Sequence, residues 1–390
     1  MSDINVETQA PTGARWVRAA LQVNPYDYQG NPSPANSHLD EASYNSALLD
    51  ECGALGISLL AVTDHWSASS AAGLVAAATA RDIVALPGFE AITSEGVHLL
   101  VIFEAGTKIE DITVAMGVCG MPQDDPHGVA DKPYSEIVTS MGERGALVIP
   151  AHVNVSNSGL LHRAVGAPLQ RMITHKEIHA LGVTPGMPPA KDQENILANK
   201  SPYEREHPLI AIHADDIMHP DTLSTEGATT WFKMSEPSLA GLKHALRTPE
   251  TRVSVTDPSS RSRVLLREIS WTGGFLDGQK VPLAEDLTTV IGGRGTGKST
   301  LVESIRYVLG IAPIGSAAQK DHSDVIKNVV QTATRISLAV DVFSPEPGRF
   351  TIERTVPDPP IVRDAAGTAT SQMPRDIVGS LEIFGQHEPG

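Results

Sequence analysis

The sequence predicts an α/β chain built in two units, and three observations predict it. Short apolar runs alternate with helix-like stretches from Trp16 to about Pro249. A polar, Pro- and Ser-rich stretch at 256–263 then interrupts the pattern. Beyond it, a Gly-rich loop lies between a strand-like and a helix-like segment. The length of 390 residues allows two or three domains. Apolar residues are 41% of the chain but aromatics only 4%, which fits cores packed with small side chains.

Residues 1–14 read as a loose, disordered tail. In the first unit, 15–255, the segments 57–63, 83–87, 98–103, 146–149 and 209–212 read as buried strands. Each is short, rich in Leu or β-branched residues, and bounded by Gly, Pro or charge. Between them, 41–54, 68–80 and 134–143 read as helices. Such alternation suggests an α/β barrel or a layered sheet. A helix at 238–246, started by Pro237 and Ser238, closes the unit, and 256–263 is the linker. In the second unit, 264–390, strands are expected at 264–271 and 287–291, a helix at 300–309 and a hairpin from 335–343 and 349–353. The stretch 357–374, rich in Pro, Ala and Thr, reads as a loop.

Charge narrows the function classes. The formal net charge is −16, carried by the first 260 residues, with 16 Lys and Arg against 31 Asp and Glu. Residues 261–390 are nearly balanced, with 14 against 15. Neither part has the basic stripe of a free-standing nucleic-acid binder. An acidic face repels phosphate backbones unless metal ions or local Arg clusters intervene. Cys52 and Cys119 are too few for a disulfide framework or a zinc ribbon and read as core thiols. There is no run of 18 apolar residues and no signal-peptide core at 1–11, so the expectation is a cytoplasmic protein without a membrane partner.

Gly292, Gly293, Arg294, Gly295, Thr296, Gly297, Lys298 and Ser299 fit G-x4-G-K-[ST] at every position. Glycines let the backbone curl so that its N–H groups face a phosphate, and the next helix, opening near Thr300, aims its positive end at the same anion. Lys298 is expected to reach the β- and γ-phosphates of ATP, and Ser299 to ligate Mg²⁺. In the first unit, metal-type residues sit at strand ends. Asp64 and His65 follow one strand, Glu90 follows another, His98 opens the next, His152 follows a fourth, and Asp216 follows 209–212. Residues at the C-terminal ends of parallel strands converge on one face. Carboxylates and imidazoles there suit Mn²⁺, Zn²⁺ or Fe. His38, His127, His162, His175, His179 and His207 lie in polar or irregular stretches and read as surface residues.

Two resemblances sharpen these expectations. The stretch 289–306 resembles the heads of SMC-, RecF- and RecN-type ABC ATPases, and Glu382 to Glu388 resembles their Q-loop. The resemblance implies that Gln386 contacts Mg²⁺ and the attacking water. The ABC signature, Walker B carboxylates and switch His of such heads are not found. It therefore implies ATP binding with poor hydrolysis by this chain alone. It also implies a homodimer through the heads or a partner chain supplying the missing half, with this sequence either the N-terminal part of a larger protein or the product of a split gene.

The motifs Thr63-Asp64-His65, Pro87-Gly88-Phe89-Glu90 with His98, and Pro150-Ala151-His152 resemble a PHP (polymerase and histidinol phosphatase) domain over about 16–252. That family implies a distorted (β/α)7 barrel holding up to three metal ions for phosphoester hydrolysis. It implies Asp64, His65, Glu90, His98, His152 and Asp216 as ligands, with Asp64 and His65 also catalytic. The opening D-L-H-x-H motif reads Ala20-Leu21-Gln22-Val23-Asn24 here, and the closing histidine aligns with Met218, beside His219 and near His213. The site is therefore either active with altered metal content, or degenerate and either structural or binding a nucleotide without cleaving it, or a set of unrelated histidines. The whole order is similar to the TrlF-type PHP–ATPase family. That implies a nucleic-acid-associated phosphoesterase or nuclease, or else an ATP-dependent sensor or scaffold.

Overall fold

The computed structural model describes residues 13–28, 33–65, 67–122, 125, 127–258, 264–285, 287–293, 295–343, 347–379 and 381–384. The predicted tail (but for its last two residues) and the linker from 259 onward lie outside these, as do Arg294 and Gln386. The chain divides into two compact units at Pro258.

The first unit is a curled, mixed sheet with helices outside it. Its strands are β1 (Arg15–Val23), β2 (Ile57–Val62), β3 (Val84–Ile92), β4 (His98–Ile102), β5 (Leu147–Pro150), β6 (Ala180–Gly182), β7 (Ile210–Ile212), β8 (Thr230–Met234) and β9 (Val253–Ser254). The principal sheet has the order β5-β4-β3-β2-β1-β8-β9, and β6 pairs with β7 separately. A lone parallel bridge, Val148 to Ile178, hooks the second sheet to the first. One core cluster takes Val17, Leu59, Leu86, Leu100, Ile149, Ala180, Ile212 and Phe232, one residue from each of β1 to β8. Strands distant in the sheet order thus share one interior, which requires the sheet to curl.

The helices are α1 (Glu41–Leu55), α2 (Ala72–Thr79), α3 (Ile109–Val118), α4 (Tyr134–Glu143), α5 (Leu160–Arg163), α6 (Gly166–Ile173), α7 (Gln193–Leu197), α8 (Leu239–Arg247) and α9 (Pro249–Arg252). Local signals set their ends. Asp40 caps α1 by accepting from Ser43 N at 2.7 Å, and Gly56, in the left-handed region at φ 67°, ends it. Ser238 caps α8 by accepting from Gly241 N. Leu239, Leu242, Ala245 and Leu246 recur at helical spacing and bury in the shared interior, so α8 plugs it. Outside the sheet, α1 and α2 pack on the β1–β2 side, while α3 and α4 pack on the β3–β4 side.

The expected α/β character holds, as a curled, mixed sheet rather than a regular repeat of parallel strands. Only β1–β2, β2–β3 and β6–β7 pair in parallel; β3–β4, β4–β5, β1–β8 and β8–β9 are antiparallel. The physical reason is clearest at β3–β4. The connection 93–97 is far too short for a parallel crossover, which needs about a dozen residues, so the chain reverses. The predicted helix 68–80 is a 3-10 turn, Ser69–Ala71, followed by α2.

The second unit holds β10 (Val264–Thr272), β11 (Lys280–Pro282), β12 (Arg335–Val342), β13 (Gly348–Thr355) and β14 (Ile361–Arg363), in the order β11-β10-β12-β13-β14, all antiparallel. Against it lie α10 (Lys298–Leu309) and α12 (Pro374–Val378), and α11 (Ser316–Val325) packs on α10. Ile269, Trp271, Leu301, Val308, Ile336, Leu338 and Ile352 form its core, and Trp271 Nε1 donates to Ser304 Oγ at 3.0 Å. The stretch read as a loop at 357–374 contains β14. The expected strand at 287–291 does not form. Leu287 and Ile291 stand 79% and 87% exposed, and an antiparallel sheet offers no parallel neighbour among the described residues. Among the described residues, no helix is long and apolar enough to cross a membrane.

Candidate functional site

The first site is assembled where strand ends meet. The ladder continues past β1 and β2, with Thr63 N donating to Val23 O, and Glu90 N donates to Asp64 O. Asn24 N donates to Ile217 O and Ile217 N to Gln22 O, which laces the Asp216 segment to the end of β1. Because β4 runs opposite to β3, His98 at its start faces Ile92 near the end of β3. Ala151 N donates to His98 O, which brings His152 alongside. The backbone of His152 has φ 33°, an unfavourable region for a side-chain-bearing residue and common at functional positions. Gly88 allows the close approach of β3 to β4: a Cβ there would lie 2.4 Å from Val101 O.

Glu90 is the hub, 1% exposed. Its Oε1 lies 2.7 Å from His98 Nδ1 and 3.9 Å from His152 Nε2, and its Oε2 lies 3.3 Å from His65 Nε2. The ligand atoms of His65, Glu90 and His98 all fall within 4.8 Å of one another. Burial pushes His98 down to about 4 and also lowers His65 and His152. These imidazoles are neutral at neutral pH, so the contacts are not ion pairs; the His98 contact is a hydrogen bond, and neutral imidazole is the metal-binding form. Burial raises Glu90, with His65 opposing the shift.

The predicted ligands separate in the structure. His65, Glu90, His98 and His152 come together. Asp216 joins through amides: Gln22 Nε2 donates to both Glu90 Oε2 and Asp216 Oδ1 at 2.9 Å, and Asn24 Nδ2 donates to Asp216 Oδ1 at 3.1 Å. Asp64 is fully buried, and its oxygens accept from His65 N at 2.6 Å and Ser70 Oγ at 2.7 Å. His213 Nδ1 contacts Glu226 O, His219 caps a 3-10 turn, and Met218 is exposed, so none of the three joins the hub. Ser70 and Tyr28, whose ring lies 5.5 Å from that of His65, were not legible as site residues because neither belongs to a ligand pattern.

The donor set fits a divalent ion that accepts imidazole nitrogen and carboxylate oxygen, such as Zn²⁺ or Mn²⁺. Two ring nitrogens here, His65 Nδ1 and His152 Nδ1, are buried and have no hydrogen-bond partner. Buried polar atoms are normally satisfied, which marks this as a place where a further ligand belongs.

The second site is the 292–299 loop. Gly295 at φ 82° and Gly297 at φ 94° take left-handed conformations, and α10 starts at Lys298. Lys298 Nζ folds back and donates to Gly292 O at 2.7 Å and Gly293 O at 2.6 Å. A cavity of about 410 Å³ opens here, with Phe275, Thr296, Lys298, Ser299 and Thr300 among its walls. Arg294 and Gln386, both expected at the nucleotide, lie outside the described residues.

No family model and no curated protein matches the chain. Solved structures do. A two-domain protein of Bacteroides vulgatus containing a predicted PHP-like metal-dependent phosphoesterase is 14% identical, with a TM-score of 0.44 over 68% of this chain and 81% of its own. The lesion-specific endonuclease Q of Pyrococcus furiosus is 12% identical, with a TM-score of 0.45 over 80% of this chain and 83% of its own. An endonuclease Q in complex with a 27-mer duplex bearing an abasic lesion is 11% identical, with a TM-score of 0.47 over 81% and 85%.

Proposed function

We propose that the first unit is a metal-dependent phosphoesterase acting on nucleic acid, and that the second binds ATP with Mg²⁺. The observation carrying the first part is the convergence of His65, Glu90 and His98 within 4.8 Å. An ion held there would lower the pKa of a bound water and draw charge from a phosphoryl oxygen. The chain's own contribution is placement. Glu90 holds the imidazoles around one point, and burial keeps them neutral. Arg163, exposed and close enough for its charge to be felt at His98, is the cation that would meet a substrate phosphate. His65 keeps the ligand role that the sequence resemblance implies, while Asp64, whose oxygens accept from His65 N and Ser70 Oγ, acts by positioning His65. Nucleic acid is the substrate class of that same resemblance.

ATP binding is supported by the complete loop motif, the two left-handed glycines and the adjoining cavity. Lys298 Nζ would exchange two carbonyl acceptors for phosphate oxygens. Lys298→Ala is expected to abolish ATP binding in calorimetry, and unchanged affinity would remove this part of the reading. Ser299 and Gln386 are the proposed contacts to Mg²⁺.

A second reading, a sensor or scaffold without hydrolysis, is favoured by one observation: amides of Gln22 and Asn24 engage Glu90 and Asp216. Elemental analysis after Mn²⁺ and Zn²⁺ supplementation, followed by assays on single-stranded DNA and RNA, separates the two. Tightly held metal, lost in His98→Ala, together with diester cleavage supports the enzyme. Metal without cleavage supports the scaffold, and no metal overturns the metal-site reading altogether.

A further inference from the structure

Gln22 and Asn24 sit inside the site, yet neither brings a charge or an imidazole to it. Both are fully buried. The Gln22 amide nitrogen lies 2.9 Å from Glu90 Oε2 and 2.9 Å from Asp216 Oδ1, and so bridges two carboxylates. The Asn24 amide nitrogen adds a further donor to Asp216 Oδ1 at 3.1 Å. Carboxylates gathered in a buried place repel each other unless a cation, a proton or strong donors lie between them. Here the donors are amide N–H groups.

The orientation of the amides is dictated by what they face. Turning either over would set a carbonyl oxygen against a carboxylate oxygen. As they stand, Gln22 Oε1 and Asn24 Oδ1 are buried and accept no hydrogen bond. Two buried acceptors without donors are an expense that ordinary cores avoid. The site accepts it because the nitrogens are held by Glu90 and Asp216.

We propose that the amides of Gln22 and Asn24 stand in for a cation, so that the pocket holds a single divalent ion at His65, Glu90 and His98. This rests on the metal-dependent reading above. Glu90 serves both halves: Oε1 faces His98 and His152, while Oε2 is shared by His65 and the Gln22 amide. Asp216 accepts both amides on its Oδ1 and in this proposal is a positioning residue rather than a ligand.

The test is metal stoichiometry on the full chain, with Mn²⁺ or Zn²⁺ alone as the probe, measured by elemental analysis after desalting. The wild type is expected to retain about one equivalent, and Gln22→His with Asn24→His about two, because imidazoles in place of the amides recreate a second ligand set. Wild type retaining none overturns the metal-site reading itself. Wild type retaining two or more leaves that reading standing and overturns the amide bridge. A folded double variant that still retains only one also overturns it.

Should the double variant fail to fold, Gln22→Glu carries the test, because it keeps the shape and replaces the bridging donor with a third carboxylate. Its melting temperature without metal is expected to fall below that of wild type. Added Mn²⁺ is expected to raise it by more than it raises wild type. An equal response in both proteins overturns the proposal.

Discussion

Glu90 carries the site because it is a buried carboxylate whose two oxygens both reach the histidine cluster, with imidazoles on one side and an imidazole and an amide on the other. Glu90→Gln preserves volume and removes only the charge. Its amide nitrogen would meet the imidazoles, and a neutral oxygen is a weak ligand. Metal affinity is expected to fall at least about 100-fold, beyond what even losing an outer partner of a ligand does. Isothermal titration with Zn²⁺ measures this, and unchanged affinity would remove Glu90 from the ligand set. In the second unit, Asp341 faces Arg267 at 2.8 Å and Arg349 at 2.9 Å. Burial pushes its pKa up, but hydrogen bonds from Arg349 and Arg267 outweigh that and hold it below the ordinary value of 3.8. A depressed carboxylate stabilises the fold above its unfolded pKa, and that contribution is lost as pH falls through the folded value. Asp341→Asn is therefore expected to lower the melting temperature at neutral pH but to lose most of its effect at the acid end. A pH series of thermal melts checks it; an equal loss at every pH would assign the effect to packing.

At the scale of the element, the β3–β4 hairpin does most to place the ligands, since it supplies both Glu90 and His98. Gly88 sits opposite Ile102 with no room for a Cβ beside Val101 O. The obstacle is backbone, which cannot rotate away. Gly88→Ala is expected to push the strands apart, costing roughly 1–3 kcal/mol as overpacking does, and to weaken metal binding as well. Chemical denaturation and metal titration together test it; a stable variant with native metal affinity would show that the approach is not needed.

Much of this element was legible. The motif from Pro87 to Glu90 and the apolar run after His98 marked both arms. The strand itself runs on to Ile92, past the Pro87 where the sequence pattern suggested it ended. Helix 134–143 was readable to the residue because Tyr134, Ile137, Val138 and Met141 recur at helical spacing and follow a proline. Strand direction was not readable, since an apolar run carries no sign of it. The segment 287–291 misled for a related reason. Leu287, Val290 and Ile291 have strand propensity, but a strand needs a partner, and among the described residues the second unit offers an antiparallel sheet already arranged without them. At the site, ligand types were visible in the sequence. That Gln22 and Asn24 would pair with Glu90 and Asp216 was not, because the contact spans 68 residues in one case and more than 190 in the others.

For the whole molecule, net charge sets the terms on which any nucleic acid can be met. A formal charge of −16, concentrated in the part of the chain that holds the His65–Glu90–His98 cluster, opposes a phosphate backbone. A protein binding DNA through many Lys and Arg contacts shows steep salt dependence, losing about 10³-fold or more between 50 and 200 mM salt. Few such contacts are available here, so attraction must come mainly from the ion and the few cations near it, such as Arg163. Binding of single-stranded DNA is therefore expected to require Mn²⁺ or Zn²⁺, to vanish on chelation, and to change less than about tenfold over the same salt range. Fluorescence anisotropy with and without metal measures both. His98→Ala should bind no better with metal than without. Tight binding that survives chelation and falls steeply with salt would place the nucleic-acid contact on a basic surface away from the His65–Glu90–His98 cluster, and the ion would then be needed for cleavage but not for capture.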